Sequence, residues 1–355
     1  MEYAKNTPEF FLGTVGAQGF GGFFDQLQSG ENLSLYLLKA GPGCGKSTLM
    51  HKLAQKSQEP IQLIHCSSDP KSLDGIILNA SGAAVLDATL PHAIEPTCPI
   101  AMEQVICLYN CLNREFLRSK RDSVLHLTDQ SHQMHARAAA YIRTAAEILA
   151  DSEKAAAHCV NFEKAQRFAE RMARRYFPKK TVPGTESRRF LSAITPDGPI
   201  LFQNTVQALA TNTIVFHDEY GACSAFVLSH LRRLALEHGC SVITCFCSLD
   251  HQKVEHLFLP ELDLALLTSN RWHSFDLPNQ KNIHCTRFEN KDWLQSHKKR
   301  LRFNAKAART LLDQAMQMQR EARVFHDQIE HIYQGAADFS LVDAAEVQLE
   351  TELGL

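Results

Sequence analysis

The sequence predicts an α/β protein made of two tandem three-layer domains with parallel sheets, each carrying a helical-hairpin extension. Three observations predict it. Short apolar runs alternate with helix-like stretches, and no tight hairpin signal separates them, which is the pattern of a parallel sheet. A glycine-rich turn at residues 40–48 joins one such run to a helix. Segments of the first half reappear, in order, about 180 residues later.

Taken in order, Phe11-Leu12-Gly13-Thr14-Val15 opens the first copy as a short strand. Leu35-Tyr36-Leu37-Leu38 reads as a buried strand and Leu49–Ala54 as a helix. Between them stands Ala40-Gly41-Pro42-Gly43-Cys44-Gly45-Lys46-Ser47-Thr48. A strand, a glycine turn and a helix with Lys-Ser in its first turn form the phosphate-binding loop of P-loop NTPases. The glycines let successive backbone N–H groups curl inward as an anion nest, and the new helix adds its partial positive charge. Lys46 would reach the β- and γ-phosphates, Ser47 would ligate Mg²⁺, and Thr48 would add a hydroxyl near the α-phosphate. Ala40 replaces the usual first glycine. The nucleotide-binding set is therefore Gly41, Gly43, Cys44, Gly45, Lys46, Ser47 and Thr48, with ATP and Mg²⁺ as ligands.

A strand near residues 61–66, a short helix, and strands near 83–87 and 105–108 complete the first sheet. The run Ala83-Ala84-Val85-Leu86-Asp87 ends in the carboxylate that a magnesium shell needs. Asp87 is thus the expected metal-supporting and catalytic partner of Lys46. Asp69, followed by Pro70, reads as a helix cap, because Asp250 stands opposite it in the second copy. His92 and His273 are retained together and read as fold maintenance. No Glu follows Asp87, so the water-activating pair of fast ATPases is missing. This argues against vigorous hydrolysis and leaves a slow ATPase, a nucleotide-gated switch and a kinase-like phosphotransferase open. A kinase-like phosphotransferase acting on a small acceptor and a non-catalytic nucleotide-binding scaffold stand beside the ATPase reading. Arg271 or Arg287 could complete the site if the halves face each other.

Each copy ends in a long stretch rich in Ala, Gln, Arg and Glu, at residues 112–177 and 291–333, with apolar residues at helical spacing. The acidic tail after Asp338 reads as a helix that carries the second extension to 355. Residues 179–187, with Pro183-Gly184, read as the linker. The domains are accordingly 1–178 and 188–355.

The repeat rests on four echoes. Phe11 matches Phe190, Asp69 matches Asp250, His92 matches His273 and Asn113 matches Asn290, at offsets of 179, 181, 181 and 177 (190 − 11, 250 − 69, 273 − 92, 290 − 113). This alignment sets Gly221-Ala222-Cys223-Ser224 opposite Gly43-Cys44-Gly45-Lys46 and Thr268 opposite Asp87. The second copy would keep the fold elements and lose the phosphate chemistry. A rival reading takes Thr213-Ile214-Val215-Phe216-His217-Asp218-Glu219 as a Walker B strand of one large ATPase. In it Asp218 holds Mg²⁺ through water and Glu219 polarises the attacking water.

Composition narrows the function classes. The 355 residues are 45% hydrophobic and 21% charged, with a net charge of −2, which offers no electrostatic footprint for nucleic acid or membrane. The basic clusters at 171–180 and 297–302 fall in helix-like stretches and read as solvated faces. Eleven scattered cysteines have no zinc-finger spacing, and no leader or spanning segment stands out, which fits a reduced cytoplasm. The expected partners are the nucleotide and, through the helical extensions, a second copy or another protein.

Phe11-Leu12-Gly13, Gly41 to Thr48, His65-Cys66-Ser67-Ser68-Asp69-Pro70, Ser72-Leu73-Asp74-Gly75 and Asp87-Ala88-Thr89-Leu90-Pro91-His92 together resemble a little-characterised family of bacterial tandem P-loop ATPase-like proteins. The resemblance covers nearly the whole length and implies ATP binding without a settled substrate. The family looks like two phosphate-loop copies, and this chain departs from it in the second loop.

Overall fold

A computed structural model describes residues 7–29 and 33–355; the first six residues of the expected N-terminal domain lie outside them. The first half runs β1 (Glu9–Phe10), β2 (Gly13–Gly16), β3 (Gly19–Gly22), α1 (Phe24–Ser29), β4 (Ser34–Lys39), α2 (Lys46–Lys56), β5 (Ile61–His65), β6 (Leu73–Leu78), β7 (Ala83–Asp87) and β8 (Glu103–Cys107). The helices α3 (Arg114–Ser119), α4 (Arg121–Ala157) and α5 (Phe162–Tyr176) follow. The second half runs β9 (Glu186–Arg189), β10 (Ser192–Thr195), β11 (Gly198–Leu201), α6 (Gln203–Leu209), β12 (Asn212–His217), α7 (Ala222–Glu237), β13 (Val242–Phe246), β14 (Val254–Leu259), β15 (Leu264–Ser269) and β16 (Lys281–His284). It ends in α8 (Lys291–Gln334) and α9 (Phe339–Leu353).

The fold is mixed α/β with two six-stranded sheets. Their orders are β1-β5-β6-β7-β4-β8 and β9-β13-β14-β15-β12-β16, the same order in corresponding strands. Both are mainly parallel, but β6 runs antiparallel to β5 and β7, and β14 does the same between β13 and β15. A strand therefore stands where the sequence suggested a short helix. Leu73–Leu78 is buried at every position, but Asp74 and Gly75 leave only Ile76-Ile77-Leu78 as an apolar run, too short to distinguish a central strand from a buried helix. Tight hairpins also occur, β2–β3 across Ala17-Gln18 and β10–β11 across Pro196-Asp197.

The layers differ from the expected pair of three-layer domains. Along β4, Leu35 and Leu37 face a core shared with Val215, Phe258, Ala265 and Leu267 of the second sheet, while Leu38 faces α2. Phe10 and Phe258 meet edge to face across that core, 6.3 Å apart. The two sheets thus pack face to face, with the short helices α1 and α6 adding Phe24, Leu27 and Val206 to the core between them and longer helices covering the outer faces. Strands buried on both faces require two covers, and sequence does not say whether a cover is a helix or a second sheet.

The extensions do not fold back as separate hairpins. α4 and α8, of 37 and 44 residues, pair antiparallel with each other across the halves. Asn304 Nδ2 donates to Asp151 Oδ2 at 2.8 Å near one end, and Ser131 Oγ donates to the Ala322 carbonyl at 3.3 Å near the other. Ala145, Ala308 and Ala315 let the helices approach around Ile142 and Leu312. The terminal helices then cross over. Ala165, Ala169 and Met172 of α5 pack with Leu228 and Leu231 of α7, whereas Val342 and Leu349 of α9 pack with Leu49 and Leu53 of α2. Among the described residues, no helix is long and apolar enough to cross a membrane.

Candidate functional site

Residues 40–45 leave the C-terminal end of β4 and turn into α2, whose first residue is Lys46. Gly43 and Gly45 hold φ of 67° and 82°, a region that suits glycine, and Gly45 is the N-cap of α2. Helix α2 forms because Leu49, Met50, Leu53 and Ala54 make one buried stripe against the sheet.

Lys46 turns back over this loop. Its Nζ donates to the Gly41 carbonyl at 2.9 Å and stands 3.5 Å from Asp87 Oδ2. The contact follows from the register: β7 pairs parallel with β4, Leu38 opposite Asp87, so both side chains emerge at the same end of the sheet. Asp87 Oδ1 accepts from Thr89 N–H at 2.9 Å and from Thr89 Oγ1 at 2.6 Å. Ser47 Oγ accepts the Leu73 N–H at 2.9 Å, which anchors the helix start to β6. Thr48 is exposed, and Cys44 is buried beneath the loop, its thiol pushed up to about 11 by burial.

Deeper in the same end lie Cys66, Asp74 and His92. Burial pushes the Asp74 carboxyl up, with the Asp87 charge adding to it and His92 opposing. His92 stacks on Phe24 at 4.8 Å, 3.7 Å from Asp74. Asp69 caps no helix. Its carbonyl and carboxylate both accept from Ser72, at 2.8 and 2.6 Å, in a turn that feeds β6.

The corresponding loop of the second half, 218–221, is two residues shorter than 40–45. Its N-cap Gly221 has φ 76°, which aligns it with Gly45 rather than with Gly43. Ala222 consequently stands in the place of Lys46 and Cys223 in that of Ser47. The Asp218 carboxylate accepts three backbone N–H groups, from Tyr220 (3.2 Å) and Gly221 (3.0 Å) of its own loop and from Ser224 (2.7 Å) in the first turn of α7. Asp218 therefore closes the second loop, and Glu219 pairs with Arg271; neither meets the Lys46 site. Arg287 packs over Phe168 and Phe288, so neither arginine expected from the second half reaches that site.

A second cluster sits in the second half. Glu255 lies 3.7 Å from His256 Nε2 and 3.8 Å from His273 Nε2, close enough to suggest a cation site. The Thr268 backbone opposes that use. Its N–H donates to His256 Nδ1 at 3.2 Å and its carbonyl accepts from His273 Nε2 at 3.0 Å, so both rings carry their proton on the nitrogen facing Glu255. A metal ion needs lone pairs there.

Set against protein families, curated proteins and solved structures, the chain matches none of them. The site's reading rests on its own geometry.

Three residues at its rim were missed from sequence. Tyr333, Glu330 and Arg323 all come from α8, and Arg323 pairs with Asp69 at 2.6 Å. Glu330 carried a signal: it is the repeat partner of Glu153 at the Asn113-to-Asn290 offset of 177 (330 − 153).

Proposed function

We propose that the first half binds ATP·Mg²⁺ at residues 41–48 and hydrolyses it slowly. The observation that carries this reading is Lys46, an ammonium anchored on the carbonyls of its own glycine loop and on Asp87 across the neighbouring strand. Such an ammonium is poised to swing onto β- and γ-phosphate oxygens. Ser47 Oγ and Asp87 would then share the Mg²⁺ shell, which supplies charge neutralisation at the transferring phosphoryl group. Loop N–H groups and the α2 N-terminus would hold the remaining phosphate charge. Asp87 is followed by Ala88, so the carboxylate that polarises water in fast ATPases is missing from this strand end. The second half serves as a structural twin, because Ala222 cannot replace Lys46 and Asp218 occupies its loop.

Titration calorimetry with ATP, GTP and Mg²⁺, followed by product analysis, tests the proposal. Lys46-dependent binding of ATP with slow release of ADP and phosphate is the expected result. A phosphorylated acceptor in place of free phosphate would move the assignment to a phosphotransferase. Binding that survives Lys46→Ala unchanged would end it.

A further inference from the structure

Three glycines of the loop lie against one corner of the chain, where α8 ends and α9 begins. A Cβ on Gly41 would meet the Tyr333 ring at 2.6 Å, and one on Gly43 would meet the Glu330 carbonyl at 2.8 Å and its Cα at 3.1 Å. Beside Gly45 the same point lies 3.6 Å from Val342 and 3.7 Å from Phe339. His326, 3.5 Å away, holds the Glu330 carboxyl below the ordinary carboxylate value, and the Gly43 N–H and the Lys46 charge act in the same direction. A carboxylate beside such a loop can do what a phosphate oxygen does there, answering inward N–H groups and a helix N-terminus.

The twin half shows the same place made permanent. Glu153, at the equivalent point of α4, pairs with Lys253 at 2.7 Å, and a Cβ on Gly221 would run into the Lys253 ammonium. The N–H groups beneath belong to Asp218. In the first half the residue after β4 is Ala40, which has no carboxylate to offer. Glu330 supplies one from the other half instead.

We propose that Glu330 and the α8–α9 corner form a latch over the ATP site, a carboxylate standing in for phosphate that an incoming triphosphate displaces. The proposal rests on the ATP reading above. Because the Glu330 main chain itself lies against Gly43, displacement moves the helix end and not only a side chain. α8 is paired with α4, so nucleotide occupancy is passed to the long helix pair.

The test compares ATP·Mg²⁺ affinity by calorimetry for the wild type, Glu330→Gln and Glu330→Ala, each with and without Lys46→Ala. Amide exchange over residues 326–335 is followed in parallel. Removing the closed fraction should raise affinity roughly three- to tenfold, more for Ala than for Gln. In the wild type, ATP should speed exchange across 326–335. Lys46-dependent binding of unchanged affinity in both variants, with unaltered exchange, overturns the latch alone. Binding in none of the proteins overturns the ATP reading and the latch with it.

Discussion

Lys46 Nζ, at the start of α2, and Asp87 Oδ2, at the end of β7, face each other at 3.5 Å, with side chains only 10% and 14% exposed. Each compensates the other's charge, and under the proposed function a phosphate and a metal ion would take their places. Lys46→Ala should therefore weaken ATP binding by roughly a hundredfold, the loss expected when one partner of a buried charge pair is truncated. Asp87→Asn should keep most of the nucleotide affinity but abolish its dependence on Mg²⁺. Calorimetry with and without Mg²⁺ separates the two roles, and equal losses in both variants would contradict the division.

Asp218 predicts the opposite behaviour. Its carboxylate is buried and satisfies three N–H groups, two in the second loop and one in the first turn of α7. Asp218→Ala strands those donors and should cost about 2–3 kcal/mol of stability. ATP binding at 25 °C should be untouched. A variant that folds normally but loses binding would revive Asp218 as the metal-supporting carboxylate.

Glu289 gives the pH dependence a direction. Burial, with the Asp218 charge adding to it, pushes its carboxyl up to about 7. Between about 4.5 and about 7 the folded state then holds more proton than the unfolded chain, so stability falls as pH rises through that window. For a half-buried group, screened by solvent, the fall should be on the order of 1–2 kcal/mol. Urea midpoints measured from pH 5 to 8 should decline in the wild type and flatten in Glu289→Gln. A decline of equal size in both would assign it to other groups.

What the sequence disclosed follows from how local each feature is. The loop from Gly41 to Ser47 is read from consecutive residues, and the apolar run ending in Asp87 likewise carries its own signal. The strand Leu73–Leu78 was hidden because Asp74 and Gly75 leave only Ile76-Ile77-Leu78 as an apolar run, too short to show a period. The second loop was set two residues out of place because the repeat offset drifts, and only the positive φ of Gly221 ties it to Gly45. Partners of the long helices were beyond reach for a different reason. An apolar stripe on α9 states that it is covered, but Leu349 against Leu53 is a choice made by the tertiary fold.

That choice has a consequence for unfolding. α9 belongs to the second half yet covers α2 of the first, while α5 belongs to the first and covers α7 of the second. The sheets share one core between them, and Phe11 and Phe190 exchange both backbone hydrogen bonds at 2.9 Å across the join. Neither half can expose its core without uncovering the other, so thermal unfolding should be a single transition. Leu53→Ala and Leu231→Ala remove fully buried side chains from opposite halves, and each should cost about 2–4 kcal/mol. Both should lower that same transition in a calorimetric scan. Two resolved transitions, each moved by only one of the substitutions, would mean that the halves are independent and the crossed helices are weakly held.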